Sequence, residues 1–116
     1  MRAWPAKARK AVEARDKGVC AECGLDTGAI SREARRLYRL DFAHGGRLWA
    51  RVSHQIADAL RPGFRDLLRH LWEADHIVPV AEGGGGCGLE NLRTLCLACH
   101  KEATAALRRR LAAASP

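Results

Sequence analysis

Two Cys-x-x-Cys pairs stand far apart in this chain, Cys20 with Cys23 and Cys96 with Cys99. No other feature restricts the fold as much. Two cysteines at this spacing supply half of a tetrahedral zinc site, and each pair lacks what the other offers. If one ion takes all four, the two segments must meet in space whatever lies between them. Redox motifs share the spacing, but a doubled motif is better read as a four-thiolate Zn2+ site. Gly24, directly after the second cysteine, lets the backbone turn so that N–H groups can face thiolate sulfur. Disulfides would leave one of the five cysteines over. The opening MRAWPAKARK has charge and no apolar stretch, so no signal peptide is expected. The expectation is therefore a reducing, cytoplasmic setting with nucleoid-associated activity, where such pairs bind zinc.

The 116 residues suit a single domain, 1–116, with a modest core, and only two Phe, one Tyr and three Trp are available to fill it. A structural metal would offset that shortage. The formal charge of +7 points to an anionic partner, and nucleic acid comes first. The charge is unevenly placed. Residues 1–17 carry six Lys/Arg against two acids, and 101–116 carry four against one, whereas 61–100 hold four Arg and five acids. Basic flanks thus enclose a near-neutral centre. No run approaches the length of a membrane span, so no membrane partner is expected.

Periodicity divides the chain into three. Residues 1–25 read as a short basic helix over Trp4–Lys17, with Pro5 in its first turn and Gly18 as its stop, followed by the first zinc knuckle. Residues 26–71 read as a helical insertion. Ser31 is an acceptable N-cap for a helix carrying Ile30, Ala34, Leu37 and Leu40. After Gly45-Gly46 a second stripe runs through Leu48, Val52, Ile56, Ala59 and Leu60 to Pro62-Gly63. A third comprises Phe64, Leu67, Leu68 and Leu71. Arg32, Arg35, Arg36, Arg39, Arg47 and Arg51 fall mostly off these stripes, within reach of phosphate. His44, His54 and His70 read as ordinary surface histidines.

Residues 72–112 are predicted to form the functional core. The run EADHIVPV over 73–80 favours extended chain, with Pro79 at an edge or strand end. Gly83–Gly86 form a loop in which Cys87 is a bystander. Leu89, Leu92 and Leu95 lead through a short strand or turn to Cys96, and HKEATAALRRRLAAA is a helix. Asp75-His76 sets a carboxylate for a hard cation beside a base, and His100 is a second possible ligand.

These residues resemble the HNH nuclease family. Cys20-x-x-Cys23, Asp75-His76-Ile-x-Pro79, a Gly-rich loop, Asn91-Leu and Cys96-x-x-Cys99-His100 carry the likeness, which is closest over 72–104. This version is similar to the HNH region of some annealing-helicase nucleases. The resemblance implies an α+β fold: a ββα-metal hairpin and helix stapled by a four-Cys zinc site, here with additional helices inserted at about 29–71. It implies an endonuclease that hydrolyses DNA, double-stranded before single-stranded, with His76 as general base. Asp75 and His100 would hold Mg2+ or Mn2+, and Asn91 would hold the hairpin loop and orient the base. Lys101, Arg108, Arg109 and Arg110 are the candidates for backbone phosphates. Monomer and dimer both remain open.

Neighbouring residues on an ideal strand point to opposite faces. Asp75 and His76 therefore need a twist or bulge to meet, or must approach the reaction from two sides. Two other functions fit parts of the pattern. Cys96-Leu-Ala-Cys99-His100 matches the c-type haem attachment motif, but that leaves Cys20 and Cys23 unexplained and the chain has Met1 alone as a thioether. A non-catalytic zinc module binding nucleic acid or protein would keep the staple and the basic flanks, yet gives Asp75, His76 and His100 nothing to do.

Overall fold

In the computed structural model, residues 6–60, 64, 66–83 and 88–114 are described. They form an α+β domain about 58 × 29 × 24 Å, a two-stranded antiparallel hairpin with four helices around and beside it. Helix α1 spans Ala6–Asp16; Trp4 and Pro5 lie outside the described residues. It stops as expected, with Lys17 and Gly18 both at positive φ. The chain then makes a tight knuckle closed by a bridge between Val19 and Asp26. At its base two glycines cross: a Cβ on Gly18 would sit 2.8 Å from the amide nitrogen of Gly28, and one on Gly28 would strike the Lys17 carbonyl.

Helix α2 covers Thr27–Ala43 and starts earlier than Ser31 suggests. The bridge delivers Asp26 to the first free helical N–H groups, and its carboxylate accepts from the Ala29 N–H at 2.9 Å. Ser31 lies one turn inside. Helix α3, Arg47–Leu60, follows the Gly45-Gly46 turn, and the Asp41 carboxylate accepts the Trp49 N–H at 2.8 Å within its first turn. Pro62 and Gly63, the expected stop, lie outside the described residues.

The third apolar stripe is not a helix. The Asp66 side chain accepts the Leu68 N–H at 2.8 Å, and this local turn competes with helical bonding. Phe64, Leu67 and Leu71 are buried all the same, against Ala34 of α2 and Ala57 of α3. Of the stripes predicted on α2 and α3, most large members stay at the surface: Leu40, Leu48 and Leu60 are exposed, and small residues (Ala34, Ser53, Ala57) take the buried positions.

Strands β1 (Trp72–His76) and β2 (Leu92–Cys96) pair one to one, from Trp72 opposite Cys96 to His76 opposite Leu92, without a bulge. Opposed residues share a face. Trp72 and Ala74 with Leu92 and Thr94 look toward α1, where Val12 completes an apolar cluster. The Thr94 hydroxyl donates to Asp16 at 3.0 Å on the same side. The other face carries Asp75, Arg93 and Leu95 toward helix α4, Leu97–Ala114, which leaves β2 without a loop.

Extended chain was expected to continue to residue 80, but β1 ends at His76. The Asn91 side-chain amide takes the place of a strand partner. It accepts the Val78 N–H at 2.9 Å and donates to the Val78 carbonyl at 3.2 Å. With Val78 saturated by a side chain and Pro79 lacking an N–H, the ladder has nothing to propagate it. A single 3₁₀ turn follows at Val80–Glu82. Gly84–Gly86 and Cys87, the expected loop and its bystander thiol, lie outside the described residues.

Candidate metal centres of the hairpin

The knuckle docks on the outer edge of β2, where the Ala21 N–H donates to the Thr94 carbonyl at 2.8 Å. This brings Cys20 and Cys23 beside Cys96 and Cys99, and the four sulfurs lie within 4.8 Å of one another. Cys23 and Cys96 are 3.8 Å apart. Four thiolates about 2.3 Å from one tetrahedral ion would stand about 3.8 Å apart along each edge. The donor set and its spacing therefore fit a four-Cys zinc site. The Cys23 N–H faces Cys20 Sγ at 3.5 Å, whereas the Gly24 N–H bonds the Cys20 carbonyl at 3.0 Å.

Burial works against the Cys20 thiolate, but the N–H groups of Cys23, Cys96 and Glu22 outweigh it and bring that thiol down to about 6. Burial raises Cys96, and pushes Cys99 up to about 12 with help from the neighbouring sulfurs. Four thiolates this close repel one another unless a cation compensates them. A divalent ion that displaces the protons satisfies all four together.

A second, more polar arrangement lies on the α4 face of the hairpin. Cys99 and His100 are neighbours in the first turn of α4, about 100° apart around the helix. One turn therefore sends Cys99 to the thiol cluster and His100 toward β1. His100 Nε2 is 3.9 Å from Asp75 Oδ1. That is too long for a hydrogen bond. Two ligands about 2.1 Å from one octahedral ion are about 3.0 Å apart when adjacent and about 4.2 Å when opposite. At 3.9 Å the pair lies between those two separations, close enough for both side chains to face one point.

Asp75 is held from its other oxygen. Arg93, directly across the hairpin, places Nη2 3.7 Å from Asp75 Oδ2 and Nη1 3.5 Å from Glu22 Oε2. A line of alternating charge thus runs from the zinc knuckle through Arg93 to Asp75. The sequence reading missed Arg93 and Glu22. Their only signal is register: once Asn91 closes the hairpin, Arg93 must lie opposite Asp75.

The structure brings Asp75 and His100 together and sets Asn91 at the hairpin mouth. It also bonds the Ile77 N–H to the Asn91 carbonyl at 2.8 Å. His76 is the last residue of β1, half-buried, and strand alternation assigns it to the face opposite Asp75. With no bulge in the ladder, the two neighbours approach from different sides. Of the basic residues forecast for phosphate contact, Arg110 is paired with Glu82 at 3.0 Å and Arg109 with Glu102 at 3.4 Å. Lys101 and Arg108 are exposed on α4.

Hairpin, following helix, thiol staple and an Asp-His-Asn-His series define a ββα-metal domain, and this chain belongs to the HNH endonuclease family. The family model matches residues 62–106. Among known proteins the chain is similar to the DNA annealing helicase and endonuclease ZRANB3 of Mus musculus, 41% identical over 101 residues, and to that of Homo sapiens, 36% identical over 94. The same protein of Bos taurus is 61% identical over 97 residues. These matches cover 78 to 84% of this chain but only 8 to 9% of the relatives' length. The crystal structure of the human ZRANB3 HNH domain superposes with a TM-score of 0.62 at 29% identity, covering 86% of each chain.

Proposed function

We propose that this chain is a metal-dependent endonuclease domain that hydrolyses phosphodiester bonds in DNA. The observation that carries the reading is the convergence of Asp75 and His100 to 3.9 Å on the face of a hairpin whose mouth is closed by Asn91. Zn2+ on Cys20, Cys23, Cys96 and Cys99 is structural: all four of its positions are filled by protein, leaving none for substrate. Asp75 and His100 would hold the catalytic Mg2+ or Mn2+, which would supply positive charge for the phosphoryl oxygens.

The remaining work falls to side chains. Asp75 presents Oδ1 to the site while Arg93 restrains Oδ2. Asn91 clamps both backbone groups of Val78 and so fixes the chain that leaves His76. His76 takes the proton of the attacking water, approaching from the side of the strand opposite Asp75. DNA as substrate rests on the family and on the +7 charge.

The test is cleavage of supercoiled plasmid with Mg2+, Mn2+ or EDTA, beside His76→Ala. The expected result is metal-dependent nicking or linearisation that falls at least about 100-fold in the variant, while zinc content and fold are kept. Wild-type rates in His76→Ala would remove it as the base. Zinc-loaded protein that binds DNA but cuts nothing under any metal would leave a binding module.

A further inference from the structure

We propose that the outward face of α2 is a second contact surface for duplex DNA, separate from the hairpin and α4; this rests on the DNA reading above. Arg32, Arg35, Arg36 and Arg39 lie at i, i+3, i+4 and i+7, which places them within about 100° of arc on one side of the helix. All four are exposed. The side of α2 that packs on the protein, marked by the buried Thr27 and Ala34, is about 140° away around the helix. The stripe therefore contributes nothing to the core.

The local carboxylates do not neutralise it. Glu33 is taken by Arg36, at 2.6 and 3.0 Å, and Asp41 caps the start of α3. Among the described residues no ion pair engages Arg32, Arg35 or Arg39. The residue type also matters, since α1 presents Lys7 and Lys10 as well as arginine, whereas α2 uses arginine alone. A guanidinium fork meets phosphate in a bidentate manner that an ammonium does not. Arg32 to Arg39 spans about 10 Å of helix, the length over which one strand of DNA presents about three phosphates.

The stripe is also held in place. Thr27 is fully buried, with its N–H and hydroxyl donating to the Gly18 carbonyl at 3.0 and 2.5 Å, directly beside the zinc knuckle. Farther along, Ala34 is locked against Phe64, Leu67 and Leu71. The arginines therefore keep a set position relative to Asp75 and His100. DNA that engages both is oriented before any bond is cut.

The experiment is fluorescence anisotropy of a labelled duplex of about 20 bp, titrated with the full chain at several salt concentrations. The variant is Arg32→Gln/Arg35→Gln/Arg39→Gln, which leaves the Arg36–Glu33 pair intact. Each lost phosphate contact lowers the slope of log K against log salt by about 0.9, so the triple variant loses about 2.7, while Arg32→Lys/Arg35→Lys/Arg39→Lys, which keeps the three charges, holds a slope near wild type. Circular dichroism and zinc content check the fold; if the triple variant fails there, Arg35→Gln alone is read for a loss of about 0.9. An unchanged slope in protein that still binds and nicks DNA overturns the α2 surface and leaves the nuclease standing. Wild-type protein with no affinity for duplex DNA at low salt overturns both.

Discussion

The hairpin with its knuckle and α4, and the pair α2–α3, are built on opposite terms. The first buries Cys20, Cys96 and Thr94 beside Ala74, Leu92 and Leu95, and no large aromatic other than Trp72 contributes. The second has the clearer amphipathic pattern and the bulkier side chains, yet Phe42 is 71% exposed and Leu48 59%. Apolar patterning therefore does not mark the organising region of this chain. Metal ligation and backbone pairing do, because four thiolates on one ion join distant segments that a small apolar cluster alone would hold weakly. The two regions also meet. Phe64, Leu67 and Leu71, which seat α2 and α3, pack against Leu25 and Leu97 of the stapled unit.

The largest expected effect comes from breaking the staple. Cys96→Ser, or stripping zinc with a chelator, should cost more than about 5 kcal/mol and abolish cooperative unfolding of both regions. Metal analysis and thermal melts check it. A zinc-free Cys96→Ser protein that melts like wild type would dissolve the distinction between the regions.

Phe64→Ala should cost about 3–5 kcal/mol, but unevenly. Hydrogen exchange should quicken throughout α2 and α3 while the β1–β2 amides keep their protection. Uniform loosening would mean that the two regions unfold as one.

A smaller effect lies at the seam between α1 and β2. The Arg15 guanidinium, with further help from the Thr94 hydroxyl, holds the Asp16 carboxyl below its ordinary value near 3.8. Because the folded value is the lower one, Asp16 stabilises the fold above that ordinary value, and the contribution is lost as pH falls through the folded one. Asp16→Asn should cost about 1 kcal/mol at neutral pH, with the difference from wild type shrinking toward zero in acid. Urea unfolding at several pH values measures it. Smallest of all, Leu40→Gln on the exposed side of α2 should change stability by less than about 0.5 kcal/mol. A larger loss would show that this side is covered in solution.

What could be read from the residues alone was whatever depends on short spacing. Cys-x-x-Cys sets two ligands one turn apart, Cys99-His100 directs neighbours to different sites, and Asp75-His76 announces carboxylate beside base. The stop of α1 was legible in the same way, because Gly18 acts locally. The tertiary structure decided everything that depends on a partner distant in the chain. Asp26 displaced Ser31 as the cap because the Val19 bridge positions it. Extended chain stopped at His76 because Asn91, thirteen residues on from Val78, saturates that backbone. Arg93 joined Asp75 through hairpin register, and small residues rather than leucines became the buried side of α2 and α3. A side chain's type and its near neighbours set what it can bind, but only packing sets what it meets.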